Sequence, residues 1–230
     1  MNTLHWRPAQ APSRTTMTGR VCRLEPLDVV RHSDDLWTSL QGASVGAELW
    51  DYLPYGPFPT RNAFDHWIAC QSTSLDPLHF AVIDNQTNRA GGSIGLMSLV
   101  PAHGCIEIGH VIYGPAIQRT PIATEAFYLL AREAFRLGNR RLEWKCNAEN
   151  ARSKAAAERF GFTYEGTFRQ HRVIKGRNRD TAWYAILDHE WPQARRAFEV
   201  WLSPENFDEQ GVQRCPLAAR RQPHSKDGAK

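Results

Sequence analysis

Residues 118–126 (QRTPIATEA) have the residue types that bind an anion at the start of a helix. Thr120 can cap free backbone amides with its hydroxyl, and Pro121 suits the first helical position because the amide it lacks would have no intrahelical partner. Apolar residues then recur at helical spacing: Phe127, Leu130, Ala131, Ala134 and Phe135. Because a helix start carries partial positive charge, the stretch predicts either an anion site or a simply capped helix.

The strand before this helix, residues 105–113 (CIEIGHVIY), carries a carboxylate in its middle. Side chains alternate across a strand, so Glu107, Gly109 and Val111 are predicted to share one face. The other face is predicted to carry the three isoleucines of the strand: Ile106, Ile108 and Ile112. A carboxylate therefore lies beside a glycine on the strand that leads into the helix.

The elements that position these residues follow from apolar periodicity and turn residues. Those before the central strand are a strand in residues 19–27 that ends near Pro26, two helices within 28–71, and strands at 78–84 and about 90–100 joined by a turn at 85–89. Between the two helices, residues 49–60 (LWDYLPYGPFPT) are too broken for a helix and too apolar for a solvated linker. We interpret them as a packed loop that could line a pocket.

The second half alternates helices and strands. It is predicted to contain a helix from Thr120 to Gly138, a strand at 141–147, a helix at 151–160, a hairpin of 164–174 and 181–187 turned by 175–180, and a helix at 191–201. This order predicts an α+β protein with one mixed, mostly antiparallel central sheet flanked by helices. We expect a flexible arm at 1–17, one domain at 18–203 and a polar tail at 204–230.

The layout and four motifs resemble the GNAT acyltransferase superfamily, and within it the branch that includes the RimJ and RimL acetyltransferases of ribosomal-protein N-termini. The motifs are RLEPLD at 23–28, EIGHVIY at 107–113, QRTPIATEA at 118–126 and NAENARSKAAAERFGF at 147–162. They cover roughly residues 18–190. The resemblance implies the GNAT fold and acetyl-CoA as the acyl donor, with no metal.

The resemblance implies that the loop amides and the helix N-terminus bind the pyrophosphate of coenzyme A. In the family pattern Gln118 and Ala123 match, while Pro121 replaces the first glycine and removes one amide donor. Arg119 and the hydroxyls of Thr120 and Thr124 could offset that loss. The implied cofactor contacts are Val111, Ile112, Tyr113, Gln118, Arg119, Thr120, Ile122, Ala123, Thr124, Asn150 and Ser153.

Acyl transfer to an amine needs an acceptor for the ammonium proton and a donor for the departing thiolate. Glu107 is the candidate base and Glu165 a reserve, whereas His110 is predicted to pack under a helix. Many members of the superfamily use a tyrosine as the donor at the position of Ala157, and the branch resembled here implies Ser153 instead. The alternatives are a surface role for Glu107 and a plain helix-start role for Ser153.

The function implied is an N-acetyltransferase whose acceptor, a primary amine on a protein N-terminus or a small molecule, attacks acetyl-CoA directly in a ternary complex. Five aromatic residues are predicted to shape the acceptor pocket, some of them as core: Trp37, Trp50, Tyr52, Tyr55 and Trp67. The alternative is a module that binds coenzyme A without turnover, as a sensor or assembly partner. Pro121 and Ala157 favour that alternative.

The C-terminal hairpin is strongly basic, through Arg169, Arg172, Lys175, Arg177 and Arg179. Such a run is usually a solvated face, and contact with RNA or the ribosome is a weaker alternative. Scattered histidines without metal-ligand spacing predict no metal site.

Composition bounds the remaining possibilities. A chain of 230 residues has room for one sizeable core, and a net charge of +4 does not by itself indicate nucleic acid. Five cysteines without a C-x-x-C pair and no apparent leader predict a cytoplasmic protein. No apolar run approaches the roughly 18 residues of a membrane span, and both a monomer and a homodimer remain open.

Overall fold

The computed structural model describes residues 5–43, 45–217 and 219. The strands in this part of the chain are β1 (Met17–Thr18), β2 (Cys22–Pro26), β3 (Leu78–Asp84), β4 (Ala90–Val100), β5 (Cys105–Tyr113), β6 (Arg141–Asn147), β7 (Thr163–Ile174) and β8 (Arg177–Leu187). They form one sheet in the order β1-β2-β3-β4-β5-β6-β8-β7. Only β5 and β6 pair in parallel among them, which requires a long crossover connection.

The helices are α1 (Val29–Gln41), α2 (Arg61–Thr73), α3 (Pro121–Arg136), α4 (Ala151–Arg159) and α5 (Trp191–Leu202). Helix α3 makes the crossover between β5 and β6. A mostly antiparallel sheet with helices on both faces confirms the predicted α+β class.

Each face of the sheet has its own apolar core. On one face α3 and α5 bury Phe127 and Phe198, and the Phe127 ring stacks on Phe160 with centroids 4.2 Å apart. On the other face α1 and α2 bury Leu36 and Phe64. Burying each such side chain stabilises the fold by about 1.5–3 kcal/mol. We call these the α3 face and the α1 face of the sheet.

Strand β5 contains a β-bulge. Ser93 of β4 pairs with Ile112 and Gly95 pairs with Gly109, so two steps on β4 match three steps on β5. The bulge therefore lies between Gly109 and Ile112 and contains His110. The φ of His110 is 52°, which is uncommon outside glycine.

The bulge reverses the side-chain alternation after Gly109. Ile106 and Ile108 lie in the α3-face core, whereas Ile112 lies in the α1-face core and Val111 packs toward the α3 face. The prediction that all three isoleucines share one face was therefore wrong, because alternation along a strand holds only while the register is unbroken.

Strands β5 and β6 separate after a short paired region. Their parallel pairing runs from Cys105 with Arg141 to Glu107 with Glu143 and then stops. The facing edges of residues 108–113 and 144–147 therefore have backbone groups that do not pair with each other, and such edges can bind an extended ligand. We call this opening the β5–β6 split.

Glu125 fixes α3 against the edge of the sheet. Its Oε1 accepts a hydrogen bond from the Arg20 amide at 2.8 Å, and its Oε2 accepts from the amides of Val21 at 2.7 Å and Cys22 at 2.8 Å. Hydrogen bonds from amides to a buried carboxylate are among the stronger ones in proteins. The first turns of α3 are thereby tied to the chain at the start of β2.

The β7–β8 hairpin turns through two residues only. Ile174 pairs with Arg177, and the turn residues Lys175 and Gly176 have φ of 49° and 72°. Two positive φ values match the right-handed twist of the strands in a tight hairpin. The predicted turn at 175–180 was too long, because β8 already begins at Arg177 and includes Arg179.

Segments before β1 and after α5 contact the sheet and helices. The Ala9 amide donates to the Pro101 carbonyl at 3.0 Å and the Gln10 amide to Leu137 at 2.8 Å, while Leu217 is buried near the other end of the chain. The division into 1–17, 18–203 and 204–230 stays a prediction. Residues 1–4, 44, 218 and 220–230 of this division lie outside the described part.

Candidate active site

Helix α3 begins without a side-chain cap from the described residues. Thr120 is the N-cap, but its hydroxyl donates to the Ile117 carbonyl at 2.7 Å instead of accepting from the first turn. The prediction that Thr120 caps the helix was wrong. Because Pro121 has no amide, the backbone donors left at the first turn are those of Ile122 and Ala123, which suits an anion.

The loop before α3 has a strained and fixed backbone. Arg119 has a φ of 59°, and the Gln118 Nε2 donates to the Tyr113 carbonyl at 2.6 Å. Left-handed φ values of non-glycine residues cluster at functional sites. The hydroxyl of Thr124, in contrast, is buried and accepts from Arg159 Nη1 at 3.0 Å, so it does not face a ligand as predicted.

Asn150 and Ser153 meet at the start of α4. The Asn150 Oδ1 caps the helix by accepting from the Ser153 amide at 3.0 Å. The Ser153 Oγ accepts from Trp144 Nε1 at 3.0 Å, which leaves the hydroxyl hydrogen free to be donated. Burial raises the pKa of the neighbouring Cys146 thiol, and the Ser153 hydroxyl opposes that rise.

Glu107 lies at the point where β5 and β6 part, and it is only 5% exposed. Its Oε2 accepts from Ser98 Oγ at 2.9 Å and from Lys145 Nζ at 2.8 Å. Its Oε1 has no hydrogen-bond partner among the described residues, and it lies 3.5 Å from the position that a Cβ on Gly109 would take, where the Met97 sulfur comes within 2.6 Å. The surface role considered for Glu107 was wrong.

A row of ion pairs extends from Glu107 along the α1 face. Lys145 Nζ lies 2.7 Å from Glu143 Oε2, and Arg141 Nε lies 2.7 Å from Glu143 Oε1. Burial opposes the charge of Lys145, but Glu107 and Glu143 outweigh it and raise the pKa of the lysine. Arg141 also bonds both oxygens of Glu165 and lowers the pKa of that carboxyl. A carboxylate held in this way is a poorer base.

His110 lies at the bulge against the aromatic loop. Its Nδ1 is 2.8 Å from the Tyr55 hydroxyl, and the two rings stack with centroids 5.6 Å apart. Burial lowers the pKa of His110, and the charge of Arg179 lowers it further. The contact that packs His110 is thus with the loop that follows α1, and the imidazole favours its neutral form.

The predicted aromatic residues differ in what they contact. Trp50 is 1% exposed and donates from Nε1 to the Leu40 carbonyl at 3.2 Å, so it supports the loop as a core residue. Tyr52 is exposed and its hydroxyl lies 3.4 Å from the Glu149 carbonyl. The buried Trp67 Nε1 has no partner among the described residues.

Trp37 packs against Phe64 with ring centroids 5.4 Å apart, as part of the α1-face core. Of the aromatic residues predicted for the pocket, Tyr55 is the one whose side chain bonds a residue of β5, His110.

Sequence reasoning missed Ser98, Lys145 and Trp183. The Lys145 Nζ lies 4.2 Å from the centroid of the Trp183 ring, on the face that carries Glu107. Alternation along β6 already places Lys145 opposite the apolar Trp144 and Cys146, so that signal was available. The position of Ser98 depends on the irregular pairing of β4 with β5, which no local pattern indicates.

Within the described part of the chain, no cluster of three or more histidine, cysteine or acidic side chains could hold a metal ion. No helix there is long and apolar enough to cross a membrane.

Comparison with known proteins agrees with the fold. The family model of the acetyltransferase (GNAT) domain matches residues 27–163, which is more than half of the chain. A GCN5-related N-acetyltransferase from Brucella melitensis is 47% identical, with a TM-score of 0.90, covering 93% of this chain and 96% of the other. The chain belongs to the GNAT acetyltransferase family.

Two further structures extend the likeness. A probable GNAT-family acetyltransferase from Chromobacterium violaceum ATCC 12472 is 43% identical, with a TM-score of 0.77, over 84% of this chain and 96% of the other. The microcin C7 self-immunity acetyltransferase MccE, solved with acetyl-CoA and AMP, is 19% identical with a TM-score of 0.64, over 74% and 93%, and shares the fold. No match was found among the curated proteins.

Proposed function

We propose that the protein is an N-acetyltransferase of the RimJ/RimL-like branch, which transfers an acetyl group from acetyl-CoA to a primary amine by direct attack in a ternary complex. The observation that carries the proposal is that α3 begins without a side-chain cap, a short loop after the end of β5, the strand that borders the β5–β6 split. One feature offers amide donors to phosphate, and the other offers unpaired strand edges to an extended chain.

Acetyl-CoA supplies the activated acetyl group in this reaction. The amides of Ile122 and Ala123, with Arg119 at the rim, would hold its pyrophosphate through the positive end of α3. The backbone of residues 111–113 would hold the extended arm, and Asn150 and Ser153 border the split from the α4 side. Gln118 and Thr120 act by shaping the loop, since their side chains bond its own carbonyls.

The amine must lose a proton before or during attack. Glu107 Oε1 is placed to accept it, directly or through water, because Oε2 is already bonded to Ser98 and Lys145. The Ser153 hydroxyl is placed to return a proton to sulfur, since Trp144 occupies one of its acceptor positions and leaves its hydrogen available. Ala157 is fully buried and can supply no proton.

The acceptor would enter on the α1 face, where Glu107 lies and Tyr55 packs against His110. The acceptor we propose is a primary amine, either of a protein N-terminus or of a small molecule. We also propose a cytoplasmic location and a monomer or homodimer. Contact with RNA or the ribosome remains the weaker proposal.

The second candidate function is a module that binds coenzyme A without turnover. The small buried Ala157 and the donor lost at Pro121 favour it. The buried Glu107 favours catalysis, because burying a carboxylate costs stability even when a lysine pairs with it.

Thiol release from acetyl-CoA, measured with a panel of primary amines and N-terminal peptides, separates the two. The enzyme predicts release that depends on the amine and matches the amount of acetylated product. Tight acetyl-CoA binding without release across the panel would favour the module instead.

A further inference from the structure

The β7–β8 hairpin places two arginines directly opposite each other. Arg172 of β7 pairs with Arg179 of β8, so both side chains leave the same face. Like charges at directly opposite positions of an antiparallel pair are destabilising. Among the described residues, neither guanidinium has a carboxylate oxygen within 4.0 Å. Neither arginine therefore has an ion-pair partner in this part of the chain, although the more distant charge of Glu107 raises the pKa of Arg179.

Arg179 is also incompletely hydrogen-bonded. Its Nε is buried and has no hydrogen-bond partner in the described chain. Burial lowers the pKa of Arg179, and the charge of Arg172 lowers it further. A buried donor without a partner costs about 1–3 kcal/mol, more when it is charged. A buried guanidinium donor without a partner is suited to bind an anion.

The face that carries Arg179 is the one that carries the candidate base. Alternation along β8 puts Arg179 on the side of Thr181 and Trp183. The Trp183 ring contacts Lys145, which bonds Glu107. Arg179 lies two residues beyond the last pairing of β8 with β6, so it stands past the end of β6 on the acceptor side of the β5–β6 split.

The turn of the hairpin also contacts the aromatic loop of residues 49–60. Lys175 Nζ, at the turn, donates to the Trp50 carbonyl at 2.8 Å and ties the hairpin to the aromatic loop. The charges of Arg179 and Arg172 both lower the pKa of His110, after the larger effect of burial, so their field reaches the bulge in β5. An acceptor between Tyr55 and the hairpin would meet both the base and the arginines.

We propose that Arg179, supported by Arg172, binds a carboxylate or phosphate group carried by the acceptor, so that the acceptor is a primary amine that also bears an anion. This proposal rests on the proposed function. A guanidinium forms paired, charge-assisted hydrogen bonds with either anion, which fixes orientation as well as affinity. The amine would then point toward Glu107 while the anion relieves the repulsion between the arginines.

The position of Arg179 distinguishes this anion from the phosphates of coenzyme A. The phosphate-binding start of α3 belongs to a helix that packs on the α3 face, whereas Arg179 is on the α1 face. RNA is also less suited to the hairpin, because its basic residues do not form one surface. Arg169 shares the opposite side with Asn178 and Asp180, and Lys175 is bonded to the aromatic loop.

The test compares Arg179→Gln with Arg169→Gln, which removes one charge from the same hairpin on the other face. The first readout is the melting temperature in sodium sulfate against sodium chloride at equal ionic strength. A ligand that binds the folded state raises the melting temperature. We expect sulfate to raise the melting temperature of the wild type and of Arg169→Gln by similar amounts. In Arg179→Gln the rise should be at most half as large. Equal rises in all three proteins would overturn the proposal.

The second readout uses pairs of acceptors that differ in one anion: an amino acid with its amide, and an aminoalkyl phosphate with the corresponding amino alcohol. Arg179→Gln should lower kcat/KM for the anionic member on the order of 10- to 100-fold, as expected for hydrogen bonds to a charged group, and leave the neutral member within about 2-fold. The carboxylate and phosphate pairs show which anion is preferred. Equal losses for anionic and neutral acceptors would contradict anion binding.

Acetyl-CoA affinity, measured in the same three proteins, separates this proposal from the proposed function. It should be unchanged by either substitution. A wild type that binds no acetyl-CoA would overturn the proposed function, while the sulfate comparison would still decide whether Arg179 binds an anion. A fall in acetyl-CoA affinity confined to Arg179→Gln would assign the arginine to the cofactor and overturn the acceptor proposal.

Discussion

Glu107 and Lys145 form an ion pair at the place where β5 and β6 part, with 2.8 Å between Oε2 and Nζ. Lys145 is shared with Glu143 at 2.7 Å, so its charge is divided between two carboxylates. Ser98 bonds the same oxygen of Glu107. The pair therefore orients Glu107 and leaves its second oxygen for an acceptor, which is the arrangement a general base needs.

Glu107→Gln should lower kcat about 100-fold or more, because an amide cannot accept the ammonium proton as a carboxylate does. The acidic limb of the pH–rate profile should change, while the dissociation constant of acetyl-CoA should stay within about 2-fold. Steady-state kinetics across pH, with binding measured by calorimetry, provide the check.

Glu165→Gln is the matched control, because it removes a carboxylate of the same ion-pair row at its far end. Its kcat should remain near that of the wild type. An unaltered pH–rate profile in Glu107→Gln, or an equal loss in Glu165→Gln, would place the base elsewhere.

Ser153→Ala should lower kcat about 10-fold or more without weakening acetyl-CoA binding, because the hydroxyl returns a proton to sulfur. Trp144→Phe removes the same hydrogen bond from its other end and keeps the hydroxyl. Single-turnover measurements on both variants separate the roles. An equal fall in kcat in Trp144→Phe would show that Ser153 acts through its hydrogen bond to Trp144 and not as a proton donor.

His79 should make the fold less stable in acid. It is 1% exposed, neither ring nitrogen has a partner among the described residues, and burial lowers its pKa to about 3. The native state therefore keeps His79 neutral, while the unfolded chain protonates it below about pH 6.5. The contribution of His79 to the free energy of unfolding is fully present above that pH. It falls by roughly 1.4 kcal/mol per pH unit between there and about pH 3.

Urea unfolding of His79→Phe between pH 7 and pH 4 checks this expectation. The variant should lose less stability over that range than the wild type, and His103→Gln, which alters an exposed histidine, should follow the wild type. Burial also lowers the pKa of His32 and His110, so the difference between proteins measures His79. Parallel curves for wild type and His79→Phe would contradict the assignment.

Much of the fold could be predicted from local patterns. The apolar spacing of α3 and the alternation of β6 are strong because each element packs one face on a core. The bulge at His110 could not be predicted, since it depends on the register between β4 and β5 and not on a residue preference. It moved Ile112 to the other face of the sheet, as no count of alternation would show.

The candidate site was predicted in part. The need for a proton acceptor indicated Glu107, the resemblance indicated Asn150 and Ser153, and these residues lie on the strand and helix that border the β5–β6 split. What local reasoning could not supply were the partners that determine their state, such as Ser98 on Glu107 and Trp144 on Ser153. These contacts join distant parts of the chain, and they exist only after the sheet has formed.

Ala123 carries the most direct test of the central claim, that acetyl-CoA binds at the start of α3. Ala123→Trp would place a large side chain in the first turn, where the amides of Ile122 and Ala123 are open. Gln193→Trp makes the same change at the third residue of α5, a helix that, like α3, has a proline in its first turn, and is the control.

Native mass spectrometry of the three proteins with acetyl-CoA gives the measurement. We predict one acetyl-CoA per chain for the wild type and for Gln193→Trp, and none for Ala123→Trp. No bound acetyl-CoA on the wild type, or undiminished binding to Ala123→Trp, would contradict the account.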